Sequence, residues 1–449
     1  EISACLVGSE MCIRDRWSLP NGVRVLFVER HDLPIVSVRV LSTVGAGDIP
    51  AKPGVISFMG AMLEQGAGKR TALAISDDYE ALGAEHGTSA DWDECGAQVK
   101  VLASRLAPAL DMLADVVLRP TFPDAEIDRL RKRWLASIEQ EKSNPSRMEQ
   151  NAIGVALFGR AHPYGHSQRE VAAVIEKLTR ADVEAAWRRT FAPRSTAIVV
   201  AGDVSADGLR TILQARFGAW AGGAAGRASV PHAAQSATKG GRSVSIVDLA
   251  GAAQSQVFVV AEGPSIATPD RVPITVMNLV LGGMFSSRIN IDLREAHAYT
   301  YGAFSRFSMR HGAGPFTAGG AMFADHTGDA VRELLAQFER IRTEPVTGEE
   351  LADAKEHAKL ALPARFESVE EVTHALQEIA TYGLPLDEYA TLSARIDAVT
   401  ASDVQRVAKQ WLHPESMRVV VTGDRAKIEK GLTSYGSIET RDAYGDVVK

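Results

Sequence analysis

The chain has 449 residues, is 45% hydrophobic and 23% charged, and carries a formal net charge of −7. That is enough material for two to four domains with well-developed cores. The mild acidity argues against a nucleic-acid binder, which would show a basic excess. No run approaches the roughly 18 apolar residues of a membrane span, so nucleic acid is not an expected partner and no membrane span is expected.

The first residues are read apart from the rest. Residues 5–16, CLVGSEMCIRDR, correspond codon by codon to the translation of a transposase adaptor used in DNA libraries, so residues 1–16 are set aside from fold reasoning. On this reading the natural start, with any signal peptide, is missing, and the compartment is not legible. Cys5 and Cys12 belong to the same segment. That leaves Cys95, which alone forms neither an internal disulfide nor a thiolate metal cluster.

From Trp17 the chain reads WSLPNGVRVLFVERHDLP, where Asn21-Gly22 marks a turn between two short strands. A strand is predicted from Ile35 to Leu41, followed by a Gly-rich loop. Residues 54–66, GVISFMGAMLEQG, are helical in pattern. Val55, Phe58, Met59, Met62 and Leu63 form one apolar stripe. Ser57, Gly60, Ala61 and Glu64 form a second stripe that is small and nearly featureless, and Gly60 costs the helix roughly 1 kcal/mol relative to Ala. A strand over 94–104 and an amphipathic helix over 105–118 follow. A longer helix from Asp124 to Ser143 is stopped by Asn144-Pro145.

A repeat organises the remainder. Residues 178–203, LTRADVEAAWRRTFAPRSTAIVVAGD, align without a gap to 399–424, VTASDVQRVAKQWLHPESMRVVVTGD, with nine identities in 26 positions. Each copy reads as helix, Pro turn, buried strand and Gly-Asp, at the end of its half, which points to duplication of a whole domain. The expected organisation is a domain over 17–220, a Gly/Ala/Ser-rich linker over 221–243 and a second domain over 244–449. Strands and helices mix without βαβ alternation. The fold class expected is therefore α+β, each half a mainly antiparallel sheet with helices packed on one face.

Most chemistries lack their motifs. There is no G-x-S-x-G elbow and no phosphate-binding or dinucleotide fingerprint. Cys95 on its predicted strand reads as a small buried hydrophobe. His162 and His166 in HPYGH are four apart, but Pro163 and Gly165 break any helix there, so a loop or packing role outweighs a metal one. Asp91, Asp93 and Glu94 read as a solvated edge.

The landmarks in their order resemble the insulinase/pitrilysin family of zinc metallopeptidases from about residue 17 onward, in its two-domain class. They are LPNGVRVLFVERHDLP, GVISFMGAML, the long helix ending in SNP, HPYG, the first repeat unit, LGGMFSSRINIDLREAHAYTYGAFS and the second repeat unit. That resemblance implies a clam-shell half. It also implies an inverted zinc motif, H-x-x-E-H, on the first-domain helix, with a further Glu some eighty residues on. Aligned on the flanking residues, those positions fall on Ser57, Gly60 and Ala61, and near Ala136 and Ser137. None of these residues replaces a His or Glu ligand, so no catalytic zinc is expected on this chain.

The family's second element is an Arg and a Tyr in a segment resembling L-R-E-x-x-G-L-A-Y. Here L-R-E-A-H-A-Y-T-Y gives Arg294 and Tyr301, with Ala298 at the family's Gly and Tyr299 as an alternative. A phenol and a guanidinium are apt donors to the oxyanion of a tetrahedral intermediate. The implied function is a non-catalytic subunit that lends Arg294 and Tyr301 in trans to a homologous, zinc-bearing H-x-x-E-H partner acting on unfolded peptides. The alternatives are a structural scaffold and a peptide-binding relative with no catalytic role. A periplasmic location follows from the resemblance alone.

Overall fold

The computed structural model describes residues 15–222 and 241–448. The expected linker lies outside the described residues over 223–240, as do residues 1–14 of the adaptor-like segment with Cys5 and Cys12. The described chain forms two compact units, each discontinuous in sequence. The first takes residues 15–135, 173–222 and 361–392; the second takes 136–172, 241–360 and 393–448.

The first unit is built on a six-stranded sheet. Its strands are β1 (Asp15–Ser18), β2 (Arg24–Glu29), β3 (Ile35–Ser42), β4 (Glu85–Ala90), β5 (Cys95–Leu102) and β6 (Thr196–Gly202), in the order β1-β2-β6-β3-β5-β4. Only the β2/β6 pairing is parallel. The Asn21-Gly22 turn joins β1 to β2, and Gly22 has φ +96°, a conformation open to glycine at little cost. Strand β6, TAIVVAG, is buried along its whole length, as a strand covered on both faces must be.

The second unit repeats this plan. Strands β7 (Ser243–Asp248), β8 (Gln254–Glu262), β9 (Phe304–Phe307), β10 (Pro315–Phe323), β11 (Arg418–Gly423) and β12 (Ser437–Arg441) are ordered β9-β10-β8-β11-β7-β12. The parallel β2/β6 pair recurs as β7/β11, and both β6 and β11 also pair antiparallel, with β3 and β8; the plans differ at one edge, where β12 runs parallel to β7 and β1 antiparallel to β2. The two sequence repeats thus occupy equivalent central strands. Each is preceded by a helix that opens on the same capping box, Thr179 with Asp182 and Thr400 with Asp403.

Eight helices matter below: α1 (Val55–Met62), α2 (Leu106–Leu118), α3 (Asp124–Glu141), α4 (Pro145–Phe158), α5 (Arg180–Thr190), α6 (Thr327–Thr343), α7 (Val369–Tyr382) and α8 (Ala401–Trp411). The strands of the two sheets separate cleanly at the expected linker, but two helices do not. Helix α7, from late in the chain, covers the first sheet: Val372, Ala375, Leu376 and Ile379 pack with Leu26, Val28, Ala197, Val199 and Ala201. Helix α4, from early in the chain, covers the second: Met148, Ala152, Ile153 and Ala156 pack with Val247, Val260 and Val420. The halves have exchanged one helix each, so each sheet gains cover from a helix of the other half.

The predicted stripe on α1 is buried as a set, with Val55, Phe58, Met59, Met62 and Leu63 at most 2% exposed. The acidic cluster differs from its expected solvated edge. Asp93 and Glu94 are buried. Glu94 accepts hydrogen bonds from Gln377 and Thr381, and Asp93 accepts one from Tyr382 at 3.2 Å, all on α7. The reason is non-local: α7 caps this corner of the sheet and supplies the donors. Burial pushes the Glu94 carboxyl up, against the pull of nearby Arg39. Cys95 is buried as expected, and burial raises its thiol.

By length and composition the segment Arg271–Ala296 is apolar enough to cross a membrane, and half of that apolar window is buried inside the structure. Its helical path is interrupted at Met284–Ser287, where Met284 is extended, and its buried residues include Ile274, Met277, Leu281, Ile289 and Leu293. It is a core segment of the second unit.

Candidate functional site

Helix α1 lies beside β4, the terminal strand of the first sheet. Ser57 and Ala61 are half-buried on α1 and Gly60 is buried. A Cβ added at Gly60 would stand 3.2 Å from the Ala90 Cβ and 3.3 Å from the Cys95 Sγ. The glycine is therefore a close-packing position between helix and sheet, which accounts for its propensity cost in the helix. Glu64, the fourth member of the small stripe, is not idle. Its Oε1 lies 2.9 Å from Nδ1 of His86 on β4, and the His86 ring stacks on the buried Tyr79 with centroids 4.1 Å apart. Helix α3 meets α1 through Trp134 against Phe58, centroids 5.6 Å apart. Ala136 and Ser137 follow on α3 and are exposed.

Arg294 and Tyr301 lie in the second unit on one continuous segment. Arg294 sits in a π-helical turn, Ile291–Ala296. Its guanidinium stacks 3.8 Å over the ring centroid of Phe285 and pairs with Glu295 at 3.3 Å. The chain then turns at Ala298, whose φ of +54° lies in the left-handed region. The resemblance places a glycine at this position, and the backbone gives the physical reason. Thr300 pins the next stretch to β10: its hydroxyl donates to the Ala321 carbonyl at 2.6 Å, and the Phe323 N–H donates to the Tyr299 carbonyl at 2.9 Å.

Tyr299 stacks on His326 with centroids 4.6 Å apart. Tyr301 is 80% exposed, its ring edge-on to Phe323 at 5.7 Å. Of the two tyrosines, Tyr301 is the one presented outward. Phe285, which carries Arg294, and Phe323, which carries Tyr301, are exposed as well, and exposed aromatic rings of this kind favour association. Among the described residues no hydrogen bond joins Arg294 to Tyr301. A further set, Asp292, His297 and Glu333, lies close together in this unit. This set is not legible in the sequence, because a D-x4-H spacing aligns when the helix winds in the π register and not in the α register.

HPYGH forms a 3₁₀ turn, Pro163–Gly165. His162 is buried, stacks on Phe158 and accepts a hydrogen bond from the Tyr164 N–H, which is a packing role.

Two sequence patterns match the chain. The pattern described as "Insulinase (Peptidase family M16)" covers residues 24–163, and "Peptidase M16 inactive domain" covers residues 177–357. The chain belongs to the M16, or insulinase, family. An uncharacterized zinc protease of Mycobacterium tuberculosis is 26% identical over 400 residues, 88% of this chain and 90% of the relative. A probable mitochondrial-processing peptidase subunit beta of Arabidopsis thaliana is 23% identical over 90% of this chain and 77% of its own length. Among solved structures, a peptidase M16 inactive domain from Pseudomonas fluorescens superposes with a TM-score of 0.84 at 27% identity, covering 91% of this chain and 97% of that one. A Helicobacter pylori protease at 18% identity and a TM-score of 0.80 shares the fold.

The Mycobacterium tuberculosis relative is named a zinc protease, and the residues of α1 do not fit zinc. Gly60 and Ala61 have no donor atom, and Ser57 offers a neutral hydroxyl where zinc sites use imidazole, thiolate or carboxylate. Packing against Ala90 and Cys95 fills the space in which a larger side chain at position 60 would start.

Proposed function

We propose that this M16 chain is the non-catalytic subunit of a heterodimeric zinc metallopeptidase. It lends Arg294 and Tyr301 to a homologous partner that carries H-x-x-E-H and the zinc. The observation that carries this reading is the asymmetry between the two halves. Ser57, Gly60, Ala61, Ala136 and Ser137 offer nothing to hold zinc, whereas Arg294 and an 80%-exposed Tyr301 stand on a segment anchored to β10. A guanidinium and a phenol positioned in advance lower the cost of developing negative charge on a peptide carbonyl oxygen. Unfolded peptides are the proposed substrates. The outer edge of β4 has no strand partner among the described residues, and an edge of this kind takes up an extended chain through main-chain hydrogen bonds.

The partner to test is an M16 chain encoded beside this one that has H-x-x-E-H and lacks the Arg/Tyr pair. The two purified chains are assayed separately and mixed on an unstructured fluorogenic peptide. Activity is expected only in the mixture, and Arg294→Ala or Tyr301→Phe is expected to lower it on the order of tenfold or more. Full activity of the partner alone, or no effect of both substitutions, would replace this reading with a scaffold role.

A further inference from the structure

We infer that Asp292, His297 and Glu333 form a binding site for a divalent transition-metal ion of the zinc–manganese class, in the second unit and separate from the degenerate zinc motif. The inference does not rest on the proposed catalytic partnership. One ligating atom from each of the three side chains lies within 4.8 Å of the other two. Asp292 is the second residue of the π-helical turn Ile291–Ala296, His297 caps its end, and Glu333 comes from α6.

The π winding is what makes the set. Residues five apart diverge around an α-helix but lie nearly above one another where the hydrogen bonds run from i to i+5. The His297 N–H donates to the Asp292 carbonyl at 3.1 Å, which is that bond. The same register sets His297 Nδ1 at 3.1 Å from the Asp292 carbonyl oxygen and 3.6 Å from Asp292 Oδ1. Tyr299 packs against the imidazole at 5.0 Å and restricts its rotation.

A second observation points to a ligand. Asp292 Oδ2 is shielded from solvent and has no hydrogen-bond partner among the described residues. A carboxylate oxygen in that state costs about 1–3 kcal/mol unless something compensates it. Arg294 pairs with Glu295 and stacks on Phe285, and Arg332 pairs with Asp329 and with Oε1 of Glu333 itself, so Glu333 would serve an ion through Oε2. Two carboxylates balance the charge of a divalent ion, and the imidazole favours zinc over calcium or magnesium, while the two carboxylates also suit manganese. Donors at about 2.0–2.2 Å from such an ion stand roughly 3.5 Å apart, so closure takes about 1 Å, within the reach of the flexible Glu333 side chain. Three protein ligands leave further positions to water. A bound ion would tie the segment that carries Arg294 and Tyr301 to α6.

The test uses the full chain, stripped with chelator and titrated calorimetrically with Zn²⁺ alone and Mn²⁺ alone. Thermal unfolding is followed in parallel, and circular dichroism verifies the fold of each variant. His31 is the comparator, an exposed imidazole flanked by Glu29 and Asp203. About one equivalent of at least one of the two ions is expected to bind. His297→Ala and Asp292→Asn should each weaken binding on the order of tenfold or more and abolish the metal-dependent rise in unfolding temperature, while His31→Ala leaves both intact. Failure of both ions to bind saturably, binding that survives both substitutions, or equal loss in His31→Ala would overturn the inference.

Discussion

Glu149 offers a direct test of how the exchanged helix α4 is seated. Its side chain points from α4 into the second sheet and is 1% exposed. Oε2 accepts a hydrogen bond from Thr422 on β11 at 2.6 Å, and Oε1 is buried without a partner among the described residues. Burial pushes its carboxyl from an ordinary 4.5 up to about 8, against the weaker pull of the Thr422 hydrogen bond. At neutral pH the folded chain therefore keeps a proton that the unfolded chain has released.

The sign follows from proton linkage. Below about pH 4.5 both states are protonated and the contribution is fully present. Between about 4.5 and 8 only the folded state holds the proton, so stability falls as pH rises; above 8 the loss is complete. The gap, 8 − 4.5 = 3.5 pH units, multiplied by about 1.36 kcal/mol per unit, gives a ceiling of about 5 kcal/mol. Local relaxation and water entry reduce that figure. Glu149→Gln keeps the shape and removes the titration. It should match the wild type near pH 5 and exceed it by a few kcal/mol at pH 8.5. Urea titrations across this range, with hydrogen exchange read on peptides covering α4 and β11, measure the difference. A variant with the same pH slope as the wild type, or one less stable at pH 8.5, would refute the argument.

Ala298→Gly should stabilise the second unit by about 0.5–1 kcal/mol. Relief of a left-handed alanine, about 1–2 kcal/mol, outweighs the entropy that glycine adds to the unfolded chain; thermal unfolding reads the gain, and a loss would show that φ +54° carries no strain. Gly60→Glu should cost about 1–3 kcal/mol by crowding Ala90 and Cys95 and burying a carboxylate, measured as a lower urea midpoint. Thr400→Ala removes the side chain that accepts the Asp403 N–H at 3.1 Å and should cost about 1 kcal/mol, seen as faster amide exchange at the start of α8.

Local patterns in the sequence carried the elements well. The stripe on α1, the Asn21-Gly22 turn, the Asn144-Pro145 stop and the T-x-x-D starts of α5 and α8 each depend on neighbours a few residues away. The repeat was legible for the same reason, as two copies of one local unit. What was not legible depends on distant chain. The amphipathic patterns of α4 and α7 say that one face is buried, not which sheet buries it, so the helix exchange left no mark in the sequence. Asp93 and Glu94 looked solvated because their donors, Gln377, Thr381 and Tyr382, lie nearly 300 residues away. The π turn at Ile291–Ala296 hid the alignment of Asp292 with His297, since no propensity marks a five-residue hydrogen bond.

The exchanged helices bear on how the protein is made. As the chain leaves the ribosome, the first sheet is complete in its strands by Gly202, yet the helix that seals one of its faces is not translated until Val369–Tyr382. Through that interval the apolar row Leu26, Val28, Ala197, Val199 and Ala201 has nothing of its own to cover it, and is open to wrong partners or to chaperones. Neither half is thus an autonomous folding unit, although each has its own sheet. A cut within 223–240 would yield two fragments that each need the other's helix, so the intact fold should survive the cut while neither fragment should reach it alone.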